Sequence, residues 1–172
     1  MKSINFQIAT FLLVGIWLLP TPANGQVQCL KDAWKDYNDA VAALSAQHNQ
    51  TATTKFEAAI QSCNLCITQF AVDARKMQAE LKKCPPVGAV SEQDKREIFS
   101  HWALNDVATA AFIKGKSAEF LMGIDSQKHK GRNKDFQDAK VLVKELSYGR
   151  CWDIQGWFWS PCKALSGESC CP

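Results

Sequence analysis

Apolar residues return every three or four positions from Leu30 onward: Leu30, Trp34, Tyr37, Val41 and Leu44. A helix completes a turn in 3.6 residues, so these side chains form one stripe, and Lys31, Asp32, Lys35 and Asp39 lie opposite it. After the polar segment 47–54 the alternation resumes with Phe56, Ile60, Cys63, Ile67, Phe70, Ala74, Met77, Leu81 and Cys84. At a rise of 1.5 Å per residue this stripe predicts a helix about 45 Å long. Pro85-Pro86 ends it, since proline lacks the amide that helix propagation needs. A short polar link between two such stripes predicts an antiparallel helical hairpin.

Ser91, followed by Glu92, Gln93 and Asp94, has the character of an N-cap with an acidic first turn. It opens a third stripe through Ile98, Phe99, Trp102, Ala103, Val107, Ala110 and Ile113, which Phe120, Leu121 and Ile124 extend, with a possible kink at Gly115. The polar segment 125–134 (DSQKHKGRNK) reads as a loop. A last stripe from Asp135 through Phe136, Ala139, Val143 and Leu146 stops at Gly149, a residue suited to a helix C-terminus. The pattern therefore predicts an all-α fold, a disulfide-stapled bundle of about four helices. Residues 151–172, CWDIQGWFWSPCKALSGESCCP, form an irregular cysteine- and tryptophan-rich arm.

Residues 1–25 have the features of an export signal: Lys2, an apolar run from Phe6 to Leu19, helix-breaking Pro20 and Pro22, and small Ala23 and Gly25 at the two positions a signal peptidase reads. Cleavage there leaves residues 26–172 as one helical domain, 26–150 forming the bundle and 151–172 the arm. No later apolar run is long enough to span a bilayer, so no stable membrane insertion is expected. Losing Lys2 leaves 19 of the 20 basic side chains against 17 acidic ones, a balance that selects no partner.

All eight cysteines, Cys29, Cys63, Cys66, Cys84, Cys151, Cys162, Cys170 and Cys171, lie beyond the leader. An extracellular or periplasmic destination favours their oxidation, and the expectation is that none remains a free thiol. Adjacent Cys170 and Cys171 should reach separate partners. Cys63-Asn64-Leu65-Cys66 has CxxC spacing, but it sits within a helical stripe rather than at a helix start after a strand, which argues against a redox site. A zinc site joining that pair to Cys170 and Cys171 is disfavoured by the same oxidising context.

Catalytic patterns are lacking. His48, His101 and His129 are far apart in sequence, with no metal-ligand spacing. His101 beside Trp102 is a conceivable general base, yet no serine elbow accompanies it, and no carboxylate pair stands out. No catalytic residue, metal or cofactor is expected.

The aromatic arm carries most functional content. Trp152, Trp157, Phe158 and Trp159 crowd eight residues, and such side chains dominate binding surfaces. They either plug the bundle end, form an exposed binding site, or lid an apolar pocket between helices. Lys128, Lys130, Arg132 and Lys134, with His129 among them, form a basic patch without interleaved aromatics, so nucleic acid is not an expected partner. Asn49-Gln50-Thr51 is an N-glycosylation sequon in the polar link.

The intervals Cys151-x10-Cys162-x8-Cys171 and Cys29-x33-Cys63 are similar to cysteine spacings of insect odorant-binding proteins. Two residues rather than three separate Cys63 from Cys66, the next interval is much longer, and Cys84 has no counterpart. The resemblance covers spacing alone and implies ligand carriage. The resulting expectation is an exported, non-catalytic binding protein that engages a protein partner or a hydrophobic small ligand through the arm and the bundle end. Two alternatives are an enzyme of unrecognised type and a precursor. In the precursor reading, Lys82-Lys83 precedes Cys84, and cleavage after Arg150 frees a four-cysteine peptide.

Overall fold

A computed structural model describes residues 27–153 and 155–171. The leader and its cleavage point therefore lie outside the described residues. The chain is a mostly helical bundle: α1 (Gln28–Ser45), α2 (Asn49–Glu80), α3 (Glu92–Ser100), α4 (Trp102–Ile124) and α5 (Arg132–Glu145), then β1 (Cys151–Trp152), β2 (Phe158–Trp159) and α6 (Pro161–Ser166). The expected hairpin is present, α1 packing along α2. Its link is shorter than expected, because the helix already begins at Asn49. Gln47, held at φ 62°, makes the reversal.

The third stripe divides into two helices. Ser91 caps α3 as expected, its hydroxyl accepting from the Asp94 amide at 3.1 Å. At His101 the helix breaks, and polar side chains bind the carbonyls freed there. Ser100 Oγ donates to the Glu97 carbonyl at 2.7 Å, and Asn105 Nδ2 to that of Ile98 at 2.6 Å. Beyond the break, α4 is buried almost all round and contributes to every apolar cluster. Ala110 and Ile113 meet Leu30 and Ala59; Leu121 meets Phe56 and Ile60; Leu104 and Val107 meet Ala74 and Leu146; Ala111 meets Val143 and Leu165. A helix surrounded on every side needs small residues for close approach, and α4 is rich in alanine. Gly115 belongs to this packing rather than to a kink: a Cβ there would lie 2.6 Å from a Leu165 methyl group. The stripe also misplaces Trp102, which stays partly exposed and packs edge-on against Phe70.

The arm is more regular than its composition indicates. β1 and β2 pair antiparallel, Cys151 opposite Trp159 and Trp152 opposite Phe158. Gly88 bridges to Phe158 on the outer side. Ser160 caps α6, accepting from the Lys163 amide at 3.2 Å, Pro161 occupies its first turn, and Gly167 ends it at φ 76°.

Three disulfides form: Cys29–Cys66, Cys84–Cys171 and Cys162–Cys170. Cys170 and Cys171 reach separate partners, and the tail is stapled both to itself and to the body. Such bonds persist in oxidising compartments. Full pairing, however, does not hold, since Cys63 and Cys151 are buried free thiols. Cys63 lies on the buried face of α2 among apolar side chains, and desolvation pushes its thiol far up. Burial pushes Cys151 up to about 12, against a weaker opposing hydrogen bond with Thr109. A thiol that does not ionise is a poor nucleophile, so both serve as small apolar fillers.

Candidate functional site

The four aromatic residues of the arm do not share one surface. Alternation along β2 turns Phe158 and Trp159 to opposite faces. Trp159 meets Phe112 of α4 edge-on at 4.9 Å, while Trp152 and Phe158 gather round Phe99 of α3. Phe158 is fully buried, and Trp152 and Trp159 are half-buried. These three close the hairpin onto α3 and α4. Trp157 alone projects, with 55% of its surface exposed.

Trp157 is held out by the hairpin tip. Asp153 Oδ1 accepts from the Gln155 and Trp157 amides, both at 2.9 Å. The Asp153 amide donates to the Trp157 carbonyl at 3.1 Å, and that of Gly156 to the Asp153 carbonyl at 3.0 Å. Gly156 takes φ 76°, a left-handed conformation that costs glycine little. One face of the indole lies across Gly88, where a Cβ would approach it to 3.3 Å. Gly88 in turn exchanges both backbone bonds with Phe158, at 2.7 and 3.0 Å. The neighbouring Val87 is also exposed. Trp157 is thus an exposed apolar side chain on a hydrogen-bonded base.

Two residues to which the sequence pattern gave no structural role build that base. Arg150 is 1% exposed, and its guanidinium donates to the carbonyls of Pro85, Pro86, Ser147 and Gly149. It also lies against the Cys84–Cys171 disulfide, Nη2 being 3.3 Å from Cys171 Sγ. No carboxylate pairs with it among the described residues, and desolvation lowers its pKa to about 10. Asn105 Oδ1 accepts from the Arg150 amide at 2.8 Å, which ties the arm to the α3–α4 break. The sequence signal for Asn105 was a lone amide inside an apolar run. Arg150 stood out only as a cleavage point, since nothing local in the sequence marks an arginine as buried.

The basic patch is largely neutralised. Arg132 pairs with Glu57 of α2 and with Asp135, and Lys134 with Asp138. His129 is buried, Nδ1 lying 3.7 Å from Glu57 Oε1. Lys128 and Lys130 are exposed and make no ion pair among the described residues. This segment anchors α5 to α2 rather than offering a dense cationic surface. Asn49 is exposed, as expected, but in the first turn of α2.

At the helix break, His101 Nδ1 faces the Glu97 carbonyl at 2.8 Å and Ser100 Oγ at 3.1 Å. Beside it an open cleft of about 410 Å³ lies between the end of α2 and α3, lined by Glu80, Leu81, Lys82, Lys83, Glu97 and His101. None of the arm tryptophans lines it. Among the described residues no helix is long and apolar enough to cross a membrane, and no group of His, Cys, Asp or Glu side chains has metal-binding geometry.

Comparison with protein-family models, with curated proteins and with solved structures finds no match to this chain.

Proposed function

We propose that this chain is an exported, non-catalytic binding protein that presents Trp157 to a protein partner. The observation that carries the reading is the exposure of Trp157 on a tip locked by Asp153 and by the Gly88 bridge. A tryptophan already fixed in place loses little conformational freedom on binding and offers a large apolar face, the combination found in interface anchors. Buried Phe158 and half-buried Trp152 and Trp159 supply its rigid support. The leader at 1–25, the three disulfides and the exposed sequon at Asn49 fit an extracellular life.

Carriage of an apolar ligand finds less support, because the arm's other three aromatics pack onto α3 and α4 and none of them lines the cleft. Release of a peptide by cleavage after Arg150 also fares poorly. That residue is buried, and the freed segment would stay attached through Cys84–Cys171.

The test is to immobilise the oxidised chain and its Trp157→Ala variant side by side and expose both to extracellular fluid of the source tissue. A partner retained by the parent and lost by the variant, with unchanged thermal melting, supports the reading. Equal retention by both proteins places binding elsewhere. Saturable uptake of an apolar dye that shifts tryptophan emission would restore the carrier alternative.

A further inference from the structure

Three pairs of adjacent basic residues lie in the described chain: Arg75-Lys76, Lys82-Lys83 and Lys95-Arg96. In sequence they are equivalent as targets for endoproteases that read paired basic side chains. The fold separates them. Arg75-Lys76 is inside α2 and Lys95-Arg96 inside α3, where helical hydrogen bonds engage the backbone. Proteases bind substrates as extended strands, using the substrate's own amide and carbonyl groups. Lys82 and Lys83 lie beyond the α2 C-terminus, where Leu81 is already extended at ψ 124°. Both are exposed, make no ion pair, and have no backbone hydrogen bond among the described residues. The open cleft runs along them, so their flank towards α3 is not packed.

The disulfide arrangement gives a cut at this point a particular consequence. Cys29–Cys66 lies wholly before it, and Cys84–Cys171 and Cys162–Cys170 wholly after it. We propose that Lys83–Cys84 is a processing bond for a dibasic-selective serine endoprotease, and that cleavage converts the protein into a non-covalent two-chain form. Water adds across the peptide bond, leaving a carboxylate on Lys83 and an α-amine on Cys84. The fragments remain associated in the native state because their core is shared, with Leu30, Ala33 and Ala59 packed against Ala110 and Ile113. Once unfolded, no covalent bond holds them together. A cut after Arg96 or Arg150 would instead leave both pieces joined through Cys84–Cys171.

The oxidised, folded chain is treated with a subtilisin-like endoprotease that requires basic residues on both sides of the P2–P1 bond, and the products are weighed intact without reductant. A reduced, denatured sample serves as control, since all three pairs are accessible there. The expected result is one cut, after Lys83, giving two fragments that co-elute under native conditions and separate in denaturant. Lys83→Gln should abolish it, while Lys76→Gln and Arg96→Gln leave it unchanged. Material from the native source should contain the same two masses. A folded chain that stays intact while the control is cut, a first cut after Lys76 or Arg96, or source material consisting only of uncut chain would overturn the assignment.

Discussion

Arg150 Nε donates to the Pro85 carbonyl at 3.0 Å across 65 residues of sequence, joining the start of the arm to the segment that follows α2. The same guanidinium binds carbonyls of Pro86, Ser147 and Gly149. Removing the side chain strands the buried Gly149 carbonyl and the part-buried carbonyls of Pro85, Pro86 and Ser147 at once, each costing up to about 1 to 3 kcal/mol where it finds no substitute. Arg150→Met is therefore expected to lower stability by at least about 3 kcal/mol in chemical denaturation. Arg150→Lys should recover little, because an ammonium lacks the planar fork that reaches carbonyls on two sides.

The two tail disulfides should differ in worth. Cys84–Cys171 spans 87 residues and Cys162–Cys170 only 8. Restricting the unfolded chain grows with the logarithm of loop length, a difference of about 2 kcal/mol in favour of the longer loop. Paired serine substitution at 84 and 171 should lower the denaturant midpoint well below that of the 162 and 170 pair. Equal losses would mean that both act mainly through native-state packing.

Asp106 on α4 is almost fully buried, its Oδ2 accepting from the Val27 amide at 3.2 Å. Desolvation raises its pKa to about 6, against smaller opposing effects of that bond and of Lys31. The folded form holds the proton more tightly than the unfolded chain. The carboxyl group is therefore best tolerated below about pH 4, and stability is lost as pH rises through 6. Asp106→Asn keeps an acceptor without the charge. The stability difference between variant and parent should open in favour of the variant between pH 4 and 7, reaching on the order of 2 to 3 kcal/mol. A pH-independent difference would place the Asp106 carboxylate in contact with water.

Gly149 sits where the end of α5 crosses α4, so that a Cβ would lie 2.4 Å from Ala108 Cβ and 3.2 Å from the Leu104 and Leu146 carbonyls. Backbone and a methyl on a central helix cannot yield cheaply. Gly149→Ala should cost about 1 to 3 kcal/mol. Gly115→Ala meets chiefly Leu165, a flexible side chain on short α6, and should cost less. Melting of the two variants under one condition gives the order.

On β2, Phe158→Ala should lose about 3 to 5 kcal/mol, as for a buried aromatic. Trp157→Ala next to it should lose less than about 1 kcal/mol while removing the most exposed tryptophan among the described residues. A large loss for Trp157 would make it a structural plug rather than a presented anchor.

The hairpin of α1 and α2, the Ser91 cap, the stapling of the tail and the helical class were legible in the chain, because each rests on local physics: a 3.6-residue period, a capping hydroxyl, an export-like leader ahead of many cysteines. Pro85-Pro86, by contrast, lie beyond a helix that already ends at Glu80. Which face of a stripe becomes central was not local. α4 shows no single apolar side because it is covered on all sides, and its alanines acquire meaning only once α2, α5 and α6 close on it. Pairing of cysteines likewise depends on which side chains the folded chain brings within bonding distance; Cys63 and Cys66 are three residues apart, yet one is bonded and the other sealed in the core. The aromatic arm shows the same division. Composition marked Trp152, Trp157, Phe158 and Trp159 as one group, and strand alternation with the Gly88 bridge buried Phe158, half-buried Trp152 and Trp159, and left Trp157 mostly exposed. Burial is a property of neighbours, and for this arm the neighbours come from 85–90, α3 and α4, segments distant in sequence that only the closed bundle assembles.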